Sequence, residues 1–174
     1  MKNNTGVSLM SLIITVVVMV VLISIVGYFS LDSVKNSYTA NEKKELSDVV
    51  QYVSVRKAKL LVDEFDVKEK YKDAILTEES IYLLAKGLSE SELALLVEVN
   101  NSSHLDDNYK YFYITAENLN RELASTEALI IKDVKNNYII NFFTGTIIGL
   151  YDNGNRAEIS GSIKGLADIM NDLY

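Results

Sequence analysis

Val7 to Leu31 reads VSLMSLIITVVVMVVLISIVGYFSL, and no Asp, Glu, Lys or Arg stands between Lys2 and Asp32. Sixteen of these 25 residues are Leu, Ile, Val or Phe. As a helix rising about 1.5 Å per residue the stretch is roughly 37 Å long, enough for a hydrocarbon core of about 30 Å. At about −0.3 to −0.6 kcal/mol per apolar residue, its insertion gains on the order of 5–10 kcal/mol. Val, Ile and Thr favour strands in water, but an open strand in lipid leaves its amides unpaired. The stretch is therefore expected to cross a membrane as a helix. It is too long for the apolar part of a secretory signal, and no A-x-A-like cleavage site follows it.

Around this stretch the composition removes whole classes of function. The 174 residues hold 24 Asp and Glu against 17 Lys and Arg, a net charge of −7 and a pI near 4.8. There is no Cys and one His, His104. Disulfide scaffolds, thiolate metal sites, cysteine nucleophiles and multi-histidine centres are excluded. An acidic chain is a poor ligand for phosphate backbones, so no nucleic-acid partner is expected. The charge is unevenly spread: residues 32–62 carry six basic and four acidic side chains, whereas residues 63–174 carry ten and twenty.

Downstream, Leu31, Val34, Tyr38, Leu46, Val49, Val50, Val53 and Leu60 recur at helical intervals, and neither Pro nor Gly occurs from Tyr28 to Lys86. The membrane helix is expected to run on as an amphipathic helix over 32–62. Residues 63–174 read as a globular head, mainly helical over 63–108. There Thr77 suits an N-cap, Glu78 and Glu79 a first turn, and Gly87 a stop. Ser89 or Ser91 starts a second helix carrying Leu93, Leu95, Leu96 and Val97, and Asn100–His104 reads as a loop. An antiparallel sheet is expected over about 109–151. Its first strand, Tyr109–Thr115, sets three tyrosines on one face, read as a face packed on the long helix in preference to an aromatic binding platform. Glu117–Leu123 suits a short helix. Tyr138–Phe143 and Thr146–Tyr151 flank Thr144-Gly145, a two-residue hairpin connection. A last helix is expected over 162–174.

No enzyme chemistry stands out. His104 lies in a polar loop beside Asp106 and Asp107, and no glycine-rich phosphate loop is present. Asp152, Asn153, Asn155 and Glu158 are weak calcium candidates, with an ordinary turn between strands the simpler reading. The dyads Lys43-Lys44 and Arg56-Lys57 read as solvated helix faces. No cofactor is expected.

The start, MKNNTG followed at once by the apolar stretch, resembles the class III leader of type IV prepilins and pseudopilins, in the variant of many Gram-positive pilin-like proteins. The resemblance implies a leader of residues 1–6, cut between Gly6 and Val7 by a prepilin peptidase, with Val7 then N-methylated. It implies that residues 7–31 are kept as a transmembrane and assembly helix. In that helix Leu9, Ser11, Leu12, Thr15 and Gly27 are the positions singled out, and Ser8, Ser11, Thr15 and Gly27 permit close helix approach. The family's usual Glu is replaced by Ser11, and the helix-breaking Pro of many major pilins is absent, which points to a minor subunit. Tyr111–Leu119 (YFYITAENL), then Asn137–Asn141 and Thr144–Ile147, look like heads of clostridial pilin-like proteins. The implied fold is α+β, one long N-terminal helix packed on a small antiparallel sheet. The implied partners are the prepilin peptidase, a major pilin and other subunits, a platform membrane protein and its assembly ATPase. The head would face outward from the membrane and later sit on a surface filament. The alternative from the residues alone is a single-pass anchored extracellular binding domain that never polymerises.

Overall fold

The computed structural model describes residues 40–62, 65–124 and 134–173. The expected leader, the apolar stretch 7–31 and the positions Gly6, Val7, Leu9, Ser11, Leu12, Thr15 and Gly27 lie outside the described residues. Among the described residues, no helix is long and apolar enough to cross a membrane.

Helix α1 (Ala40–Leu60) is uninterrupted over 21 residues, as a segment free of Gly and Pro permits. Its buried residues Val49, Val50, Tyr52 and Val53 define the face that meets the sheet. Four strands, β1 (Phe112–Ile114), β2 (Asn137–Asn141), β3 (Thr146–Tyr151) and β4 (Arg156–Ser160), pair antiparallel in the order 1-2-3-4. One row of the register runs Tyr113, Ile139, Ile148, Ile159 across all four. The fold is thus α+β with a small antiparallel sheet. The sheet extends past residue 151 to Ser160, because the Asp152–Asn155 turn returns the chain as a fourth strand.

Alternation along the strands divides the core in two. Phe112, Ile114, Tyr138, Ile140 and Ile147 join the buried residues of α1 and Leu119 and Leu123 of α5 (Ala116–Ala124). Ile139, Ile148 and Leu150 face the other way. They meet Ile81 of α3 (Glu78–Leu84), Leu93, Leu96 and Val99 of α4 (Glu90–Asn101), and Ile169 of α6 (Leu166–Leu173). With both faces covered, β3 is buried along its whole length and reads as a nearly continuous apolar run. A short α2 (Val67–Lys70), capped by Asp66, closes the α1 side.

Several local expectations are corrected. Thr77 and Ser89 cap α3 and α4, each with a capping box, but Gly87 does not stop α3, whose C-cap is Ala85. Gly87 is required by crowding: an added Cβ would lie 2.6 Å from the Ala157 amide nitrogen. The Thr144-Gly145 connection is a four-residue loop, Phe142–Gly145, since Asn141 pairs with Thr146. Asn141 makes it by accepting on Oδ1 from the Phe143 and Thr144 amides (3.0 and 2.9 Å) and on its carbonyl from Gly145 (2.9 Å), which sits at φ +80°. Phe142 is thereby withdrawn from the strand into the core. Strand β1 is shorter than Tyr109–Thr115, because Asp107–Tyr109 forms a 3-10 turn capped by Asp106. The tyrosines do not pack on α1. Tyr111 is buried in the opposite cluster, with Tyr109 and Tyr113 against it, and Phe112 and Ile114 face α1. The last helix begins at Leu166, later than residue 162.

Candidate functional site

The seat of α1 on the sheet joins this helix to the rest of the described head. It is polar at one end and aromatic further along.

At the N-terminal end, Glu45 accepts three hydrogen bonds on one oxygen: from the Asn136 amide at 2.9 Å, Asn136 Nδ2 at 3.0 Å and the Tyr138 hydroxyl at 2.8 Å. Bonds to a charged acceptor are worth about 1.5–3 kcal/mol each. One turn earlier, Arg156 Nη2 donates to Glu42 Oε1 at 2.7 Å, while its guanidinium carbon lies 5.0 Å from the Tyr151 ring centre. Gly149 leaves room for that ring, since a Cβ there would fall 2.8 Å from it. Burial and the neighbouring Tyr151 and Glu45 charges push the Tyr138 phenol far above its usual range, so it stays a donor to Glu45. Glu158 shares this side of the sheet. Burial raises its carboxyl above the usual glutamate range, Lys43 and Arg156 oppose the shift, and Oε2 is buried with no hydrogen-bond partner among the described residues.

Further along, Arg56 lies over the rings of Tyr52 and Phe65 (5.3 and 4.9 Å) and pairs with Glu122 of α5 at 3.3 Å. Lys70 reaches the same Glu122 oxygen at 2.6 Å. The Tyr52 and Tyr71 hydroxyls share a bond of 2.8 Å, and Phe142 stacks on Tyr71 with ring centres 5.4 Å apart. Lys57 donates to the Thr144 carbonyl at 3.0 Å. Burial, with Lys164 nearby, lowers its pKa. The dyad Arg56-Lys57 is thus committed to the head, whereas Lys43 and Lys44 are exposed.

No sequence motif marks these contacts, because the Glu45 and Glu42 bonds span 91 to 114 residues. The calcium candidates are not brought together as a set. Glu158 stands on the α1 side, opposite Gly149, while Asp152 and Asn153 lie exposed in a tight turn bordering a cleft on the other side. No group of three or more His, Asp or Glu among the described residues is arranged to hold a metal ion. His104 is exposed in the bend after α4.

No family model, curated protein or solved structure matches this chain.

Proposed function

We propose that the chain is a structural, non-enzymatic subunit of a type IV pilin-like filament, in the role of a minor pilin or pseudopilin. The observation that carries the proposal is the order of features in the sequence: the polar stretch MKNNTG ending in Gly6, then 25 uncharged residues, then a segment with no Gly or Pro before α1. The head supports it, because α1 is fastened along its length to an α+β body, as a subunit pulled or packed through its N-terminal segment requires. Cutting between Gly6 and Val7 leaves the apolar segment to hold the subunit in the membrane and then to exchange lipid for neighbouring helices. Between such helices close packing of small residues supplies selectivity. The excess of base over 32–62 and of acid over 63–174 lets one subunit's helix steer towards another's head.

Mass spectrometry of the native N-terminus tests this. The expected species begins at methylated Val7, and Gly6→Leu accumulates as an unprocessed, unassembled membrane chain. Protein that retains MKNNTG, with no helix-to-helix cross-links between copies, refutes the filament and identifies a single-pass anchored binding domain.

A further inference from the structure

On the side of the sheet away from α1, the ends of β2 and β3 border an open cleft of about 370 Å³, within the range of small-molecule sites, about 300–1,000 Å³. Leu84 and Leu150 supply apolar lining, with Tyr113, Lys135, Asp152 and Asn153 around them. We propose that this cleft binds a neutral saccharide.

Three observations lead there. The first concerns the tyrosines. Tyr111 is wholly buried and its hydroxyl is engaged by the Lys164 amide and carbonyl (3.1 and 3.2 Å). Tyr109 packs edge-on against Phe143, ring centres 4.8 Å apart. Tyr113 alone lines the cleft, half-buried, with no hydrogen bond to its hydroxyl among the described residues. A half-covered ring offers the apolar face against which the C–H side of a sugar packs.

The second is the turn that borders the cleft. Asp152, Asn153 and Gly154 stand at φ +50°, +54° and +85°, three successive residues in the left-handed region, of which only the last is glycine. Glycine takes positive φ at no steric cost, so the strain lies at Asp152 and Asn153, two non-glycine residues held in a region such residues adopt uncommonly, the kind of strain that clusters at binding sites. The turn is locked from behind. Gly154 accepts from the Gly87 amide at 2.8 Å, and a Cβ on it would lie 2.0 Å from the Leu84 carbonyl oxygen.

The third is the balance of polar groups. Lys135 and Asp152 bring opposite charges to one cleft without pairing, and neither their side chains nor that of Asn153 is hydrogen-bonded among the described residues. The lining thus offers a cationic donor, an anionic acceptor, an amide that does both and a phenol, with no net charge. A phosphate or acidic ligand meets Asp152, and a metal ion finds one carboxylate. Sugar hydroxyls donate and accept at once and match the mixture.

The test uses the full chain in lipid nanodiscs, avoiding glycoside detergents. Saturation-transfer NMR is run against a panel of neutral hexoses and N-acetylhexosamines, free and as disaccharides, with glycerol phosphate and glycine as charged controls. Transfer to ring protons of at least one neutral sugar is expected. Tyr113→Ala should weaken it at least tenfold, and the exposed-site variants Lys135→Ala and Asp152→Asn, which leave the core untouched, several-fold. Absence of transfer from the whole panel, transfer unaltered in both exposed-site variants, or stronger transfer to either charged control each overturns the proposal. Binding here does not depend on processing at Gly6, so the result stands apart from the filament proposal.

Discussion

Asn100 sits in the last turn of α4, buried, and brackets the strand that leads into β1. Its Oδ1 accepts from the Tyr111 amide at 2.9 Å, and its Nδ2 donates to the carbonyls of Tyr111 and Leu76 at 2.9 and 3.0 Å. Asn100→Ala strands the Tyr111 amide and the Leu76 carbonyl, while the Tyr111 carbonyl keeps a long bond from the Leu76 amide (3.4 Å). Each lost bond costs about 0.5–1.5 kcal/mol net, and more where a buried partner is left unsatisfied. Three bonds therefore cost about 4 kcal/mol. Better helix propensity at Ala returns up to about 0.7 kcal/mol, leaving a loss of about 3 kcal/mol. At about 2–4 °C per kcal/mol for a chain of this size, Tm falls by roughly 6–12 °C. Urea and thermal unfolding followed by circular dichroism, in micelles at fixed detergent, measure it. Asn100→Asp separates the donor's role from the acceptor's. It keeps the Tyr111 amide satisfied but turns a carboxylate on two carbonyl oxygens, so its folded-state pKa rises above the unfolded value of about 3.9. Stability is then fullest at low pH and is lost as pH rises through the raised value. A loss below about 1 kcal/mol for Asn100→Ala, or an Asp variant indifferent to pH, refutes the bracket as a determinant of the fold.

Phe142 touches the rings of Tyr52, Phe65, Tyr71 and Phe112, so Phe142→Ala should cost about 3–5 kcal/mol in the same assay; a cost near 1 kcal/mol, about that of a conservative swap, would mean that the loop does not hold it in the core. Gly154→Ala combines positive φ with a Cβ driven into the Leu84 carbonyl and should destabilise by about 3 kcal/mol or more, with hydrogen exchange rising first at the Gly87 amide. Glu158→Gln removes a carboxylate whose pKa is raised chiefly by burial. The ionised form is a burden on the fold above the raised value, so the variant should melt higher than the parent at neutral pH, and the gap should close as pH drops below the glutamate range. A gap of constant size across that titration contradicts the assignment.

How much of this was legible beforehand follows from the range of each interaction. Caps at Thr77 and Ser89 depend on residues three positions away, and the chain displays them openly. The α+β class and the apolar runs of β2 and β3 are equally local. The end of β2 is hidden because Phe142 and Phe143 prolong the apolar run of Tyr138–Ile140, and only the Asn141 side chain, capping two amides, turns the chain early. The face of the tyrosine stripe is not legible, because a strand covered on both sides gives alternation no polar face to point from. Asn100 resembled the start of a loop, since Asn-Asn-Ser-Ser favours turns, yet its partners lie 11 and 24 residues away. The Glu45 and Glu42 seats and the Glu122 bridge join segments with no common periodicity. The tight turn at Asp152 was visible as Asp-Asn-Gly-Asn, but its three left-handed residues were not.

The two acidic residues that seat α1 fall within its first two turns. Tension applied ahead of Ala40 therefore meets Arg156 and Tyr138 before it can peel the helix from its far end. Because those partners stand on different strands, β4 and β2, the load divides over the sheet and draws β3 between them. The head is thus built to yield as one unit, and single-molecule extension should show one rupture in place of a staircase.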